Sequence, residues 1–452
     1  MADLHDLTAL QQAAAVRSGE VSPVDLVEHY LARIQRHSAD LPALHGVPTA
    51  IKDLNLTAGV PTSFGSAAYA GFVPGIDDNV VSLLRRAGMI SLGKTSTPEF
   101  GLPCYTEPDG LPPARTPWDT DRSAGGSSGG AGAAVAAGLV PFAQGSDGGG
   151  SVRIPASVCG LVGIKPSRGR ISGGPMHAEV TGLAGAGPLA RTVRDAAALL
   201  DAMAVPMPGD PRPASPLPAG ETFLAAADQS PGRLRIGRYA TPVLDGVPVH
   251  ADCLAAWEAA SALLAGLGHQ VEDVPPPFES GLLAQFEVIW GAIACGFPVG
   301  PEQEPLLRPL TRHLRAQGLA TSAPDFIEAL GAAYASSAVA VAVAVAVAVA
   351  RTVAYDAVLV PTLAQPPVPV GSLRNDADPV ADFAAQAAFS PFCASYNLTG
   401  QPAVNLPLHW TADGLPIGVM LAGRPGAEQT LISLSAELEA ARPWADRTPP
   451  QW

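Results

Sequence analysis

Two glycine-rich stretches draw attention by the side chains they hold. Gly-Gly-Ser-Ser-Gly-Gly at 125–130 presents the paired hydroxyls of Ser127 and Ser128, and Gly-Gly-Gly-Ser at 148–151 presents Ser151. A serine hydroxyl is a weak nucleophile until a base takes its proton, and neither stretch contains a histidine. A desolvated lysine is the alternative base, because burial disfavours its charged form. The chain has 27 basic residues, of which only Lys52, Lys94 and Lys165 are lysines. Arginine, used everywhere else, does not release its proton in a protein. Lys52 closes a short apolar run from Val47. Lys94 and Lys165 stand beside the turn residues Gly93 and Pro166, with no nucleophile in their own motifs, and read as structural. The glycines before Ser151 leave consecutive backbone N–H groups unobstructed, which suits a developing oxyanion. Taken singly, each stretch reads first as a tight turn with capping serines. Together with Lys52 they point to acyl transfer.

Three other motif matches compete with this reading. Gly88 to Thr95 fits the phosphate-loop pattern letter for letter, which would make the chain a nucleotide-binding protein. That loop should follow a strand and open a helix, whereas here an amphipathic helix precedes it and Met-Ile-Ser-Leu is strand-prone. Ser91 to Lys94 fits S-x-x-K, but Gly93 spoils the helix that would align the two side chains. Gly125 to Gly129 fits the nucleophile elbow G-x-S-x-G, which requires a later histidine and acid. His177, His250, His269, His313 and His409 are available, and none sits in a stretch that reads as a catalytic loop.

The elements that must position these residues alternate between helix and strand. Ser22-Pro23-x-Asp25 starts a helix running to about Arg36, with Leu26, Tyr30, Leu31 and Ile34 as its apolar face. His45 to Asp53 reads as a turn into a buried strand that carries Lys52 and Asp53 at its end. A helix over Val80–Arg86 precedes the strand Met-Ile-Ser-Leu; further helices are expected over Ala131–Gly138 and Arg191–Met203. Such alternation predicts an α/β fold. Residues 205–220 form a proline-rich loop at a sub-lobe boundary. The alternating Ala-Val tract at 338–350 reads as a buried helix, being too weakly apolar for a membrane span.

Charge and cysteine content narrow the class. The balance 27 − 41 gives a net charge of −14 with no basic run, which argues against nucleic acid as a partner. Five scattered cysteines without a C-x-x-C pair argue against a disulfide framework or a zinc site. With no basic and apolar leader at the N-terminus, a reducing, cytoplasmic setting is expected.

The longest motifs resemble the amidase signature family. The match runs from Ser123-Ala-Gly-Gly-Ser-Ser-Gly-Gly to Gly138, continues through Gly145-Ser-Asp-Gly-Gly-Gly-Ser-Val-Arg-Ile-Pro-Ala, and closes with Gly160-Leu-Val-Gly-Ile-Lys-Pro-Ser-Arg-Gly-Arg. His45-Gly-Val-Pro, Ile51-Lys-Asp, Pro117-Trp-Asp, Gly187-Pro-Leu-Ala-Arg-Thr and Tyr396-Asn-Leu-Thr-Gly-Gln-Pro-Ala agree with it. The resemblance implies one domain over 1–452 with a central mixed twisted β-sheet covered on both faces by helices. Its core motifs span 45–200, a more variable substrate-side sub-lobe spans about 205–390, and 391–452 returns to the core.

The same resemblance implies a Ser-cisSer-Lys triad. Ser151 matches the nucleophile, Ser127 the bridging serine that follows a cis peptide bond, and Lys52 the base. The N–H groups of Gly148, Gly149, Gly150 and Ser151 would form the oxyanion hole, with Ser128, Asp147 and Arg153 in support. The implied activity is hydrolysis of small apolar or aryl amides through a Ser151 acyl-enzyme, without metal or cofactor. Carbamate or ester hydrolysis on the same triad is the alternative, and a glutaminase subunit would need partner subunits. Pocket walls are expected from Leu102–Glu107 and from the segment around Ser172–Leu183. Neither membrane association nor an oligomeric state is indicated. Two features depart from the family pattern: the short connection between the first long helix and Lys52, and the Ala-Val tract.

Overall fold

The computed structural model describes residues 4–37, 42–175, 180–278, 281–337, 354–450 and 452. The Ala-Val tract therefore lies outside the described residues. Among the described residues ten strands form one sheet: β1 (Pro48–Lys52), β2 (Ile90–Thr95), β3 (Phe142–Asp147), β4 (Val162–Lys165), β5 (Gly185–Ala190), β6 (Arg235–Arg238), β7 (Gln270–Asp273), β8 (Ala357–Pro361), β9 (Ala403–Trp410) and β10 (Pro416–Gly423). Their spatial order is β2-β1-β3-β5-β4-β9-β10-β8-β6-β7. Parallel pairs at both ends flank an antiparallel centre running from β3 through β10 to β8. The sheet is thus mixed, with three strands of the 205–390 segment bonded into it.

Side-chain alternation divides the interior into two cores. Along β10, Ile417, Val419 and Leu421 face one cluster while Met420 and Ala422 face the other. β8 alternates the same way, with Ala357 and Leu359 against Val358 and Val360. Period-two patterning of strands buried on both sides produces this arrangement. Helix Arg153–Cys159 covers one face through Ile154, Ala156 and Val158, and helices Val193–Met203 and Glu428–Ala441 cover the other through Leu199, Leu200, Leu431 and Leu434. Among the described residues no helix is long and apolar enough to cross a membrane.

Some expectations shift on contact with the structure. The first long helix forms over Pro23–His37, yet Leu31 on its expected inner face is 57% exposed. Its neighbour Tyr30 instead accepts a hydrogen bond from Gln12 of the preceding helix. The helix expected from Ala131 starts at Gly129, immediately after the paired serines, and that expected from Arg191 starts at Val193 behind a Thr192 N-cap. The nucleotide-binding alternative is corrected: residues 90–95 are strand β2 at the sheet edge, not an open phosphate loop. Lys94 is committed elsewhere, paired to Asp53 at 3.1 Å and donating to Asn55 O and Thr62 Oγ1 at 2.6 and 2.9 Å.

Two glycines on β5 give a paired test of the sheet centre. A Cβ at Gly187 would stand 2.2 Å from the Ile164 carbonyl oxygen of β4, whereas a Cβ at Gly185 meets nothing within 4 Å. Gly187→Ala is expected to destabilise the protein by ~2–3 kcal/mol, as overpacking against fixed backbone does. Gly185→Ala should leave stability nearly unchanged; denaturant midpoints of the two variants measure the difference.

Candidate active site

Strand pairing delivers the first component. β1 runs parallel to β3, and the Lys52 N–H donates to Gln144 Oε1 of β3 at 3.0 Å. This places the fully buried Lys52 side chain beside the C-terminal end of β3. Its Nζ donates to Ser127 Oγ at 2.7 Å and to Ser146 Oγ at 2.9 Å. Burial lowers the Lys52 pKa to about 7, partly opposed by the negative charge of Asp147. Lys165 is also buried and lowered to about 7, by burial first and then by Arg153, but its Nζ donates to the carbonyl of its neighbour Pro166. Of these two softened amines, Lys52 is the one in contact with serine hydroxyls.

Ser127 follows a cis peptide bond from Gly126 and is 2% exposed. Ser128 acts one step removed from Lys52: its Oγ accepts the Ser146 N–H at 3.2 Å and donates to the Ser146 carbonyl at 3.1 Å. It thereby fixes the residue that holds the amine. Ser151 lies alongside, its carbonyl accepting the Ser128 N–H at 3.2 Å. The expected second link of the relay is not made, since no hydrogen bond joins Ser127 Oγ to Ser151 Oγ among the described residues. Ser151 instead contributes to the wall of a pocket of about 720 Å³.

Asp147 and Arg153 organise the turn between these groups, both fully buried. Asp147 Oδ1 accepts from the Gly150 N–H at 2.7 Å, Arg153 Nη2 at 2.9 Å and Asn397 Nδ2 at 2.9 Å. Its Oδ2 accepts from the Val152 N–H at 3.1 Å and Arg153 Nε at 2.9 Å. Burial alone would raise the carboxyl, but the Arg153 guanidinium and these hydrogen bonds hold it well below the usual carboxylate range. This corrects the expected oxyanion hole. The Gly150 N–H is bound to Asp147, which leaves the N–H groups of Gly148, Gly149 and Ser151 without an acceptor among the described residues.

Aromatic rings roof the glycine turn. A Cβ at Gly148 would fall 2.8 Å from the Trp290 ring, and one at Gly149 would fall 3.0 Å from Phe286. The two rings stack with centroids 5.1 Å apart. Helix Leu282–Cys295 lines the pocket with Leu283, Phe286, Glu287 and Trp290, spaced i, i+3, i+4 and i+7 on one face. Helix Pro379–Phe389 lines it with Phe383, Gln386 and Ala387, followed by Ser390, at the same spacing. Leu102 and Cys104 contribute from the expected wall segment. The other expected wall is corrected: Ile171, Gly173, Gly182 and Leu183 line a separate cavity with Lys165 and Arg168, beyond the network in which Asn397 donates to both Asp147 and the Leu183 carbonyl. No described histidine lines the Ser151 pocket.

The family model for amidases matches residues 24–432. The chain belongs to the amidase signature family. This amidase is 34% identical over 476 residues to 6-aminohexanoate-cyclic-dimer hydrolase of Paenarthrobacter ureafaciens, covering 98% of this chain and 96% of the relative. It superposes on the structure of 6-aminohexanoate cyclic dimer hydrolase complexed with substrate with a TM-score of 0.82, at 32% identity and full coverage of both chains. A bacterial aryl acylamidase of the same family matches with a TM-score of 0.74 at 25% identity, covering 97% of this chain and 96% of the other.

Sequence reasoning missed Ser146 and Asn397 as members of the site. Ser146 sits inside the quoted Gly145-Ser-Asp motif and Asn397 inside Tyr396-Asn-Leu-Thr-Gly, so the signal was present in motifs whose side-chain directions were unknown. The Asp147 network yields a prediction. Asp147→Asn removes the countercharge of a buried guanidinium and is expected to cost ~3–5 kcal/mol, read as a lower midpoint in guanidinium unfolding.

Proposed function

We propose that this amidohydrolase cleaves small amides with apolar or aryl groups through an acyl-enzyme on Ser151. The observation that carries the reading is the 2.7 Å contact between Ser127 Oγ and a buried Lys52 amine whose pKa is lowered to about 7. In its neutral form Lys52 Nζ has a lone pair facing that hydroxyl and accepts its proton. Ser127 Oγ then takes the proton of Ser151 after a rotation about the Ser151 side chain, since hydrogen bonds of a resting site commonly tighten only with substrate bound. Ser151 Oγ forms the bond to the carbonyl carbon, and the electron pair displaced onto oxygen is held by the N–H groups of Gly148, Gly149 and Ser151.

Collapse of this intermediate breaks the C–N bond. The leaving nitrogen receives the proton stored on Lys52, returned through Ser127. Water then gives a proton to the relay as its oxygen bonds to the acyl carbon; the ester bond to Ser151 Oγ breaks, the acid leaves, and the relay returns the proton to Ser151 Oγ. The apolar walls of Phe286, Trp290 and Phe383 support the assignment of apolar or aryl groups, as does the aryl acylamidase among the structural relatives.

Three outcomes test the proposal. A serine-directed fluorophosphonate should label Ser151, located by mass mapping of the peptide; label on any other residue overturns the assignment. Lys52→Met should lower kcat/KM on an anilide by ~10³-fold or more, the scale of lost base catalysis with an activated nucleophile. Because the neutral amine is the active form, kcat/KM should fall as pH drops below about 7. A profile that stays flat to well below that value removes Lys52 as the base.

A further inference from the structure

Of the described residues lining the Ser151 pocket, Glu287 is the one that carries a charge. It is exposed, it makes no ion pair with a described residue, and it stands on the same helical stripe as Phe286 and Trp290, the rings that roof Gly148 and Gly149. A carboxylate serves no purpose in packing a wall otherwise built from Leu283, Phe383 and Ala387.

We infer that Glu287 is a specificity-determining residue that favours amides bearing a protonated amine at the end of an apolar stem. The inference rests on the proposed Ser151 chemistry and adds a substrate class to it. Placement accounts for the selectivity: the scissile carbonyl lies at the glycine turn under the Phe286 and Trp290 rings, the stem runs along the apolar faces of the two helices, and the ammonium reaches the carboxylate at the open side. A solvent-exposed charge contact there is worth about twofold to fivefold in apparent affinity. It acts through KM, since the carboxylate touches no reacting atom.

The test compares the para-nitroanilides of 6-aminohexanoic acid and heptanoic acid, which differ by an ammonium against a methyl group. The wild-type enzyme should favour the amino substrate in kcat/KM by about twofold to fivefold. In Glu287→Gln that ratio should collapse toward unity through a rise in KM for the amino substrate, and Glu287→Lys should invert it. Raised salt should shrink the wild-type ratio but not that of the Gln variant. A ratio unmoved by either substitution, or a wild-type enzyme indifferent to the ammonium, overturns the inference. Where turnover is too slow to measure, protection of Ser151 from the fluorophosphonate by 6-aminohexanamide against heptanamide gives the same comparison, and equal protection overturns it. Absence of any label on Ser151 marks failure of the underlying chemistry and takes this inference with it.

Discussion

The arrangement depends on one amine kept out of water without a carboxylate in contact. An ammonium normally stays hydrated or pairs with an acid, and Lys94 shows the ordinary solution in its ion pair with Asp53. Among the described residues the Lys52 Nζ donates to hydroxyl and carbonyl oxygens of Ser127 and Ser146, with Asp147 acting at a distance. Desolvation without direct neutralisation brings the amine close to neutrality near physiological pH. Strand β1 must therefore end beside the last residues of β3, with Ile51 paired to Gln144, so that the Lys52 side chain reaches Ser146 and Ser127.

The second constraint is the turn between β3 and helix Arg153–Cys159. Asp147 spans it from inside, accepting the Gly150 and Val152 N–H groups together with the Arg153 side chain. Arg153 and Asn397 tie the same carboxylate to the segment after Phe389, with Arg153 Nη1 donating to the Cys393 carbonyl at 3.0 Å. A buried ion pair of this kind stabilises little on its own. Its worth here lies in geometry: by occupying the Gly150 and Val152 N–H groups it determines which donors of the turn remain unbonded among the described residues.

Much of this was legible in the sequence, for reasons that differ by residue. Lys52 and the serine-bearing turns stood out because glycine runs and scarce lysines are chemically unusual. Strands β1 and β2 and helix Asn79–Arg86 followed from periodicity. The consumption of the Gly150 N–H was not legible, since it depends on which way the Asp147 carboxylate points. Nor was the unmade contact between Ser127 and Ser151, which depends on where the fold places the two side chains. The wall expected around Ser172–Leu183 failed because linear proximity to the glycine motifs does not report which side of Asp147 a loop occupies. Leu283, Phe286, Glu287 and Trp290 do show their helical spacing in the sequence, but nothing local says what that face looks upon.

Where the walls come from has a consequence of its own. The proposed reactive groups lie between positions 52 and 153, while two helical stripes between 283 and 390 supply half of the described residues that line the Ser151 pocket. Exchanging the later stretch between relatives would alter which molecules are accepted without rewriting the bond-breaking apparatus. A gene built this way lets appetite and chemistry evolve on separate stretches of DNA.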